Sequence, residues 1–181
     1  MDRRKFGRTT LAALLAQAAS QTWPGRAALA EQSSPLRVEG DRLNANLQEL
    51  SKYGRNQVGG VSRVAYSEAD RQAREWVLGL MADAGLDARI DAAGNLMGRR
   101  DGRDPSLPPL MTGSHIDTVV EGGNYDGTVG ALGAVEVAHR LEEARIVTRH
   151  PLEIVVFQGE EHGHIGRRAM AGGLREQELD V

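Results

Sequence analysis

The run LEIVVFQ at residues 152–158 most narrows what this chain can fold into. It is short, continuous and rich in β-branched residues, with none of the polar alternation of a half-exposed strand, so it reads as a strand buried on both faces. Upstream, GTVGALGAVEVAHRLEEAR at residues 127–145 has helical periodicity, with Val129, Leu132, Val135, Ala138 and Leu141 on one inward stripe. Before that helix, LMTG at residues 110–113 reads as a short buried strand. Strand, helix and strand in this order imply a right-handed crossover and a parallel pair of strands. Gly130 and Gly133 inside the helix each cost roughly 1 kcal/mol relative to alanine, which points to another backbone packed closely against it.

The preceding segments fit an α/β fold with a mixed, partly parallel sheet flanked by helices. DRLNANLQELSKYG places Leu43, Leu47 and Leu50 at helical spacing and closes on Gly54. GRNQVGGVSRVAY is glycine-rich and irregular. Ser67 then caps a second helix, with Asp70 three residues on as in a capping box; Ala73, Trp76, Val77, Leu80, Met81 and Ala84 form its stripe, and Gly85 ends it. LDARIDAAGNLMGRR reads as two short strands around the turn Ala93-Gly94-Asn95.

Residues 1–30 have a different character. Arg3, Arg4, Lys5 and Arg8 precede the apolar run TTLAALLAQAAS, and Ala28-Leu29-Ala30 offers a small-residue cleavage pattern before Glu31. That is the order of a secretory signal, and the apolar run is too short to span a bilayer. Paired arginines followed by Phe6 resemble a twin-arginine signal, which implies export to the bacterial periplasm or beyond, with no stable membrane insertion. The alternative is an amphipathic surface helix. Residues 31–39 read as a linker, and the globular part begins at residue 40. Without the five Lys/Arg and one Asp of residues 1–30, 17 basic and 24 acidic residues remain, a net charge of −7. Acidic balance and only 4% aromatics argue against nucleic-acid binding. With no cysteine, stability must come from packing, bound metal or assembly.

In parallel α/β sheets ligands sit beyond the carboxyl ends of the strands. Both strands of the crossover unit end in charged motifs there, GSHIDTVVEGGNYDG after the first and GEEHGH after the second. His115, Asp126, Glu160 and Glu161 supply imidazole and carboxylates without thiolate, a donor set suited to Zn, Mn, Co or Ni. Asp126 suits a carboxylate bridging two divalent ions. Asp117 is placed to hydrogen-bond the second ring nitrogen of His115 and fix its tautomer. If extended, Glu160 and Glu161 would point opposite ways, one to a metal and one to act as general base. Simpler readings make the glutamates a solvated loop pair and Asp126 a helix N-cap. His139 and His150 read as surface residues, while His162 and His164 either touch substrate or occupy an exposed turn.

From LNANLQELSKYG to VVFQGEEHG, these segments together resemble the hydantoinase/carbamoylase-type amidases of the M20 metallopeptidase superfamily. The resemblance covers most of residues 40–173 and implies a dinuclear metal hydrolase acting on a linear amide or ureido C–N bond, such as that of an N-carbamoyl-L-amino acid. It assigns His115 to one ion, Asp126 to both, Glu161 to the other, and Glu160 as general base. Related readings are an M20 aminoacylase or peptidase, and a non-catalytic exported remnant. After the glutamate pair this chain has His162-Gly163-His164-Ile165 where the family usually has Gly-Ser-Arg-Phe. By the same resemblance, residues 40–181 are expected to correspond to the first half of an M20-type catalytic domain, without the inserted dimerisation domain and without two further histidine ligands. The resemblance therefore implies weak metal binding and no hydrolysis by these 181 residues alone, and a homodimer for the full-length form.

Overall fold

A computed structural model describes residues 36–175. The signal-like segment of residues 1–30 lies outside them. In chain order the elements are α1 (Gly40–Leu50), α2 (Glu68–Asp83), β1 (Asp87–Ile90), β2 (Leu96–Arg100), β3 (Leu110–His115), α3 (Thr128–Glu143), β4 (Leu152–Phe157) and α4 (Ile165–Met170). The four strands form one sheet in the order β1-β2-β4-β3. β1 and β2 are an antiparallel hairpin, β2 runs antiparallel to β4, and β3 runs parallel to β4. The sheet is mixed, and its parallel pair is the crossover unit expected from the sequence.

The helices form because their apolar spacing matches one buried face. Leu47 and Leu50 of α1, Ala73, Val77 and Met81 of α2, and Ala131, Leu132, Val135 and Ala138 of α3 share one core with Leu96, Ile154 and Val156 of the sheet. Each fully buried aliphatic side chain of this kind contributes about 1.5–3 kcal/mol. Met97 and Val155, register partners on β2 and β4, are buried on the opposite face, so β4 is covered on both sides as its sequence requires. Ser67 caps α2 by accepting the Asp70 N–H at 3.2 Å, and Gly85 ends the helix at φ +77°, a conformation glycine adopts without strain.

Three expectations change. Among the described residues β3 is an edge strand rather than a buried one, and Leu110 and Met111 are 56% and 47% exposed. In α3, Val129 is exposed, and Thr128 is buried at the first turn instead, its hydroxyl donating to Asn124 O at 2.6 Å. Of the two helix glycines, Gly130 does face a close neighbour, the Cβ of Ser114 on β3, whereas Gly133 has open space around it. Glu136, also on α3, is buried yet charged. Arg42 of α1 satisfies it through Nε–Oε2 at 2.7 Å and Nη2–Oε1 at 2.8 Å, and the Glu39 N–H adds a third bond at 2.8 Å. This buried carboxylate ties α1 to α3.

Candidate metal centre

Because His115 and Phe157 are register partners, β3 and β4 end side by side and deliver their following residues to one edge. His115 is the last residue of β3 and is 6% exposed. Its Nδ1 lies 3.0 Å from the carbonyl oxygen of Asp117. A carbonyl only accepts, so Nδ1 is the donor and Nε2 is left to face the site. Beyond β4 the chain turns at Gly159, φ +61°, and the turn brings both glutamates to His115. One ligand atom from each of His115, Glu160 and Glu161 lies within 4.8 Å of the others. Nε2 of His115 is 3.5 Å from Glu160 Oε2, and Nδ1 of His164 is 2.9 Å from Glu160 Oε1. The expectation that the two glutamates diverge from an extended segment fails, because residues 160 and 161 sit in a turn.

Asp117 supports the site differently from the sequence expectation. Its carboxylate is 3.6 Å from His115 Nδ1, beyond hydrogen-bond reach, and it is the backbone carbonyl that takes the imidazole proton. The carboxylate instead accepts the N–H groups of Glu160 at 3.3 Å and Glu161 at 3.1 Å, clamping the turn after β4 to the loop after β3. Burial opposes charge on both groups, and the pairing outweighs it. His115 is pulled down by desolvation but lifted further by Asp117 and Glu160, to about 9. Burial pushes the Asp117 carboxyl up, while His115 and the two N–H groups hold it below its ordinary value.

Asp126 is not among the facing ligand atoms, and its side chain is exposed. Nor is it the helix cap, a position held by Gly127. Gly127 itself packs on the imidazole: at φ +64°, a Cβ added there would lie 2.4 Å from His115 Nε2. Glycine is therefore needed both for the backbone conformation and to leave the site-facing ring edge clear. His139 and His150 are partly exposed and pair with Glu143 and the Pro108 carbonyl, away from this group; His162 is exposed.

Several residues support the site in ways that their local sequence does not reveal. Arg63 is 1% exposed and donates to three carbonyls, Ile116 O at 2.6 Å, Leu50 O at 3.0 Å and Tyr53 O at 2.9 Å. It thereby fastens the loop after β3 to the end of α1, and desolvation lowers its pKa to about 10. Asn95 is fully buried, accepts the Gln158 N–H at 3.0 Å and donates to Gly166 O at 3.2 Å and Asp91 Oδ2 at 2.9 Å. Asp70 does not close the expected capping box, since the Ser67 N–H goes to Val64 O; its Oδ2 instead accepts from Tyr66 N at 2.9 Å and Gln158 Nε2 at 3.0 Å.

Over 148 residues the chain is 42% identical to an N-carbamoyl-L-amino acid amidohydrolase of Geobacillus stearothermophilus, covering 79% of this chain and 36% of that protein. It superposes on a crystal structure of a hydantoinase/carbamoylase family amidase from Burkholderia ambifaria with a TM-score of 0.75 and 38% identity, covering 79% of this chain and 36% of that one. The chain is a relative of the hydantoinase/carbamoylase amidases. A ureidoglycolate hydrolase of Arabidopsis thaliana is 40% identical over 151 residues, 83% of this chain and 32% of that protein. The family model matching residues 95–180 is Peptidase family M28, where the sequence resemblance named the M20 superfamily. The chain thus spans about a third of the length of the amidases it matches, and that third includes the edge where His115, Glu160 and Glu161 meet.

Proposed function

We propose that this chain carries metal ligands and the general base of a metal-dependent amidohydrolase that cleaves a linear ureido or amide C–N bond, with N-carbamoyl-L-amino acids as the leading substrate class. The observation that carries this reading is the group of His115, Glu160 and Glu161 at the carboxyl ends of two parallel strands. One imidazole nitrogen with two carboxylates is a donor set that fits Zn, Mn, Co or Ni. His115 and Glu161 would hold divalent metal, with Asp126 as the carboxylate shared with a second ion, and Glu160 would accept the proton of the attacking water. When bound, the metal supplies Lewis acidity that polarises the scissile carbonyl. The chain's own residues do the rest. Asp117 fixes the turn holding Glu160 and Glu161, its carbonyl sets the His115 tautomer, and Glu160 Oε2 stays directed at the site.

The test is a chimera in which residues 37–175 replace the matching segment of the Geobacillus stearothermophilus relative. Ammonia release from N-carbamoyl-L-amino acids is expected, and Glu160→Gln should lower it about 1,000-fold or more at normal metal content. Activity retained in that variant would remove the base assignment. The match to a peptidase family model favours a second reading, hydrolysis of N-acyl amino acids or dipeptides. The same chimera assayed on those substrates separates the two. We also infer export by the twin-arginine route, a dinuclear centre and a homodimeric full-length form. Replacing Arg3 and Arg4 with lysine should retain the protein in the cytoplasm, as fractionation would reveal.

A further inference from the structure

The reading above uses Glu160 as a base and leaves unexplained why a histidine occupies position 164. His164 sits at φ +57°, ψ +40°, a left-handed conformation that costs a side-chain-bearing residue strain and that glycine or asparagine adopts more readily. The strain is imposed by a closed turn. His164 N–H donates to Glu160 O at 3.1 Å, Ile165 N–H to Gly159 O at 3.1 Å, and Gly166 N–H to Gln158 O at 2.8 Å. Gly163, immediately before, is also left-handed, at φ +99°. This backbone places the imidazole over the Glu160 carboxylate, with Nδ1 at 2.9 Å from Oε1. The second carboxylate oxygen, Oε2, then faces His115 Nε2 at 3.5 Å. Glu160 thus pairs at Oε1 with the imidazole of His164 at the exposed rim, and its Oε2 is left facing the His115 ring inside the site.

We propose that His164 is a positioning residue, whose Nδ1–H fixes the Glu160 side chain in the one rotamer that presents Oε2 to the reacting water. The proposal rests on the general-base reading of Glu160 and deepens it. His164 contributes little to holding the fold, since it is 46% exposed at the side chain and makes no other side-chain bond among the described residues. Function and local backbone preference therefore conflict at this position, as they do where strain is retained for a site.

Solution NMR on the full 181-residue chain tests this directly, without depending on turnover. In the wild type, Nδ1 of His164 should carry a proton, and side-chain couplings of Glu160 should report a single χ1 rotamer. In His164→Gly the Glu160 couplings should average over rotamers, while the thermal midpoint stays within about 2 °C of wild type or rises, because glycine relieves the left-handed strain. His164→Asn should restore the single rotamer, since its amide N–H occupies nearly the place of Nδ1 and asparagine tolerates this backbone. A fixed Glu160 in His164→Gly, a bare Nδ1 in the wild type, or a fall of several degrees in the glycine variant would each overturn the proposal. Failure of the base reading shows separately, as activity surviving Glu160→Gln in the chimera.

Discussion

Asn95→Ala should destabilise the domain by about 3 kcal/mol, and the reasoning can be followed bond by bond. Asn95 is fully buried and its amide makes three hydrogen bonds. Removing Oδ1 strands the N–H of Gln158, which lies just past β4 and has no other partner among the described residues; a buried unsatisfied donor costs about 1–3 kcal/mol. Loss of the bonds to Gly166 O and Asp91 Oδ2 adds about 0.5–1.5 kcal/mol each; Asp91 Oδ1 keeps the N–H groups of Ala93 and Asn95, and Oδ2, on a half-buried residue, is left to solvent. The side chain cannot be replaced by movement of its neighbour, because Gly166 is already so close that a Cβ there would lie 1.9 Å from Asn95 Oδ1. Urea unfolding followed by circular dichroism should show a lower midpoint at unchanged slope, and a thermal midpoint reduced by roughly 10 °C. The damage should also reach the site, since Gln158 and Gly166 bracket the turn that carries Glu160 and Glu161. A loss below about 1 kcal/mol would refute the view that Asn95 is the anchor of that turn.

Gly127→Ala introduces a Cβ 2.4 Å from His115 Nε2 at a positive φ, so it should weaken zinc binding at least about tenfold and cost about 1–2 kcal/mol of stability, readable by calorimetry and urea titration. The raised pKa of His115, about 9, means that metal must displace a proton over the neutral range. Apparent zinc affinity should therefore rise about tenfold per pH unit from pH 7 to 8.5 and level off above 9, and proton release should appear as a buffer-dependent enthalpy. In the metal-free protein the sign is opposite. The folded pKa is raised above the ordinary 6.5, so the stabilisation from this histidine is complete below about pH 6.5 and disappears as pH climbs through 9, a loss that His115→Gln should abolish in pH-dependent urea titrations. Asp117→Ala removes the acceptor for two N–H groups and should lower metal affinity about 10–100-fold in the same calorimetric assay.

The strand–helix–strand unit was legible because its signals are local. A β-branched run, a helical stripe and a glycine-rich connection each act within about sixteen residues, and together they put His115 and the glutamates at one edge. What stayed hidden depends on distant partners. Glu136 lies in the middle of an apolar helix, and its burial depends on Arg42 and the Glu39 N–H, ninety-four and ninety-seven positions earlier. Arg63 and Asn95 likewise depend in part on distant groups, the Ile116 carbonyl for Arg63 and the Gly166 carbonyl and Gln158 N–H for Asn95, 53–71 positions away. The edge position of β3 could not be read either, because Leu110 and Met111 are as apolar as a buried strand requires. At the site, assuming an extended chain after β4 sent Glu160 and Glu161 apart; the left-handed Gly159 starts a turn that brings them together. Spacing along the chain points Asp117 at His115 alone, whereas in space its carboxylate has a more consequential pair of partners, the two N–H groups of the glutamates.

Zinc titration of this chain by calorimetry, beside its His115→Ala variant, tests the central claim most directly. The three facing groups predict saturable binding by the wild type at pH 8, weakened at least about 100-fold when the imidazole is removed, beyond what changes outside the ligand shell produce. Equal titration curves for the two proteins would contradict the account, because the edge beyond β3 and β4 would then hold no metal through His115.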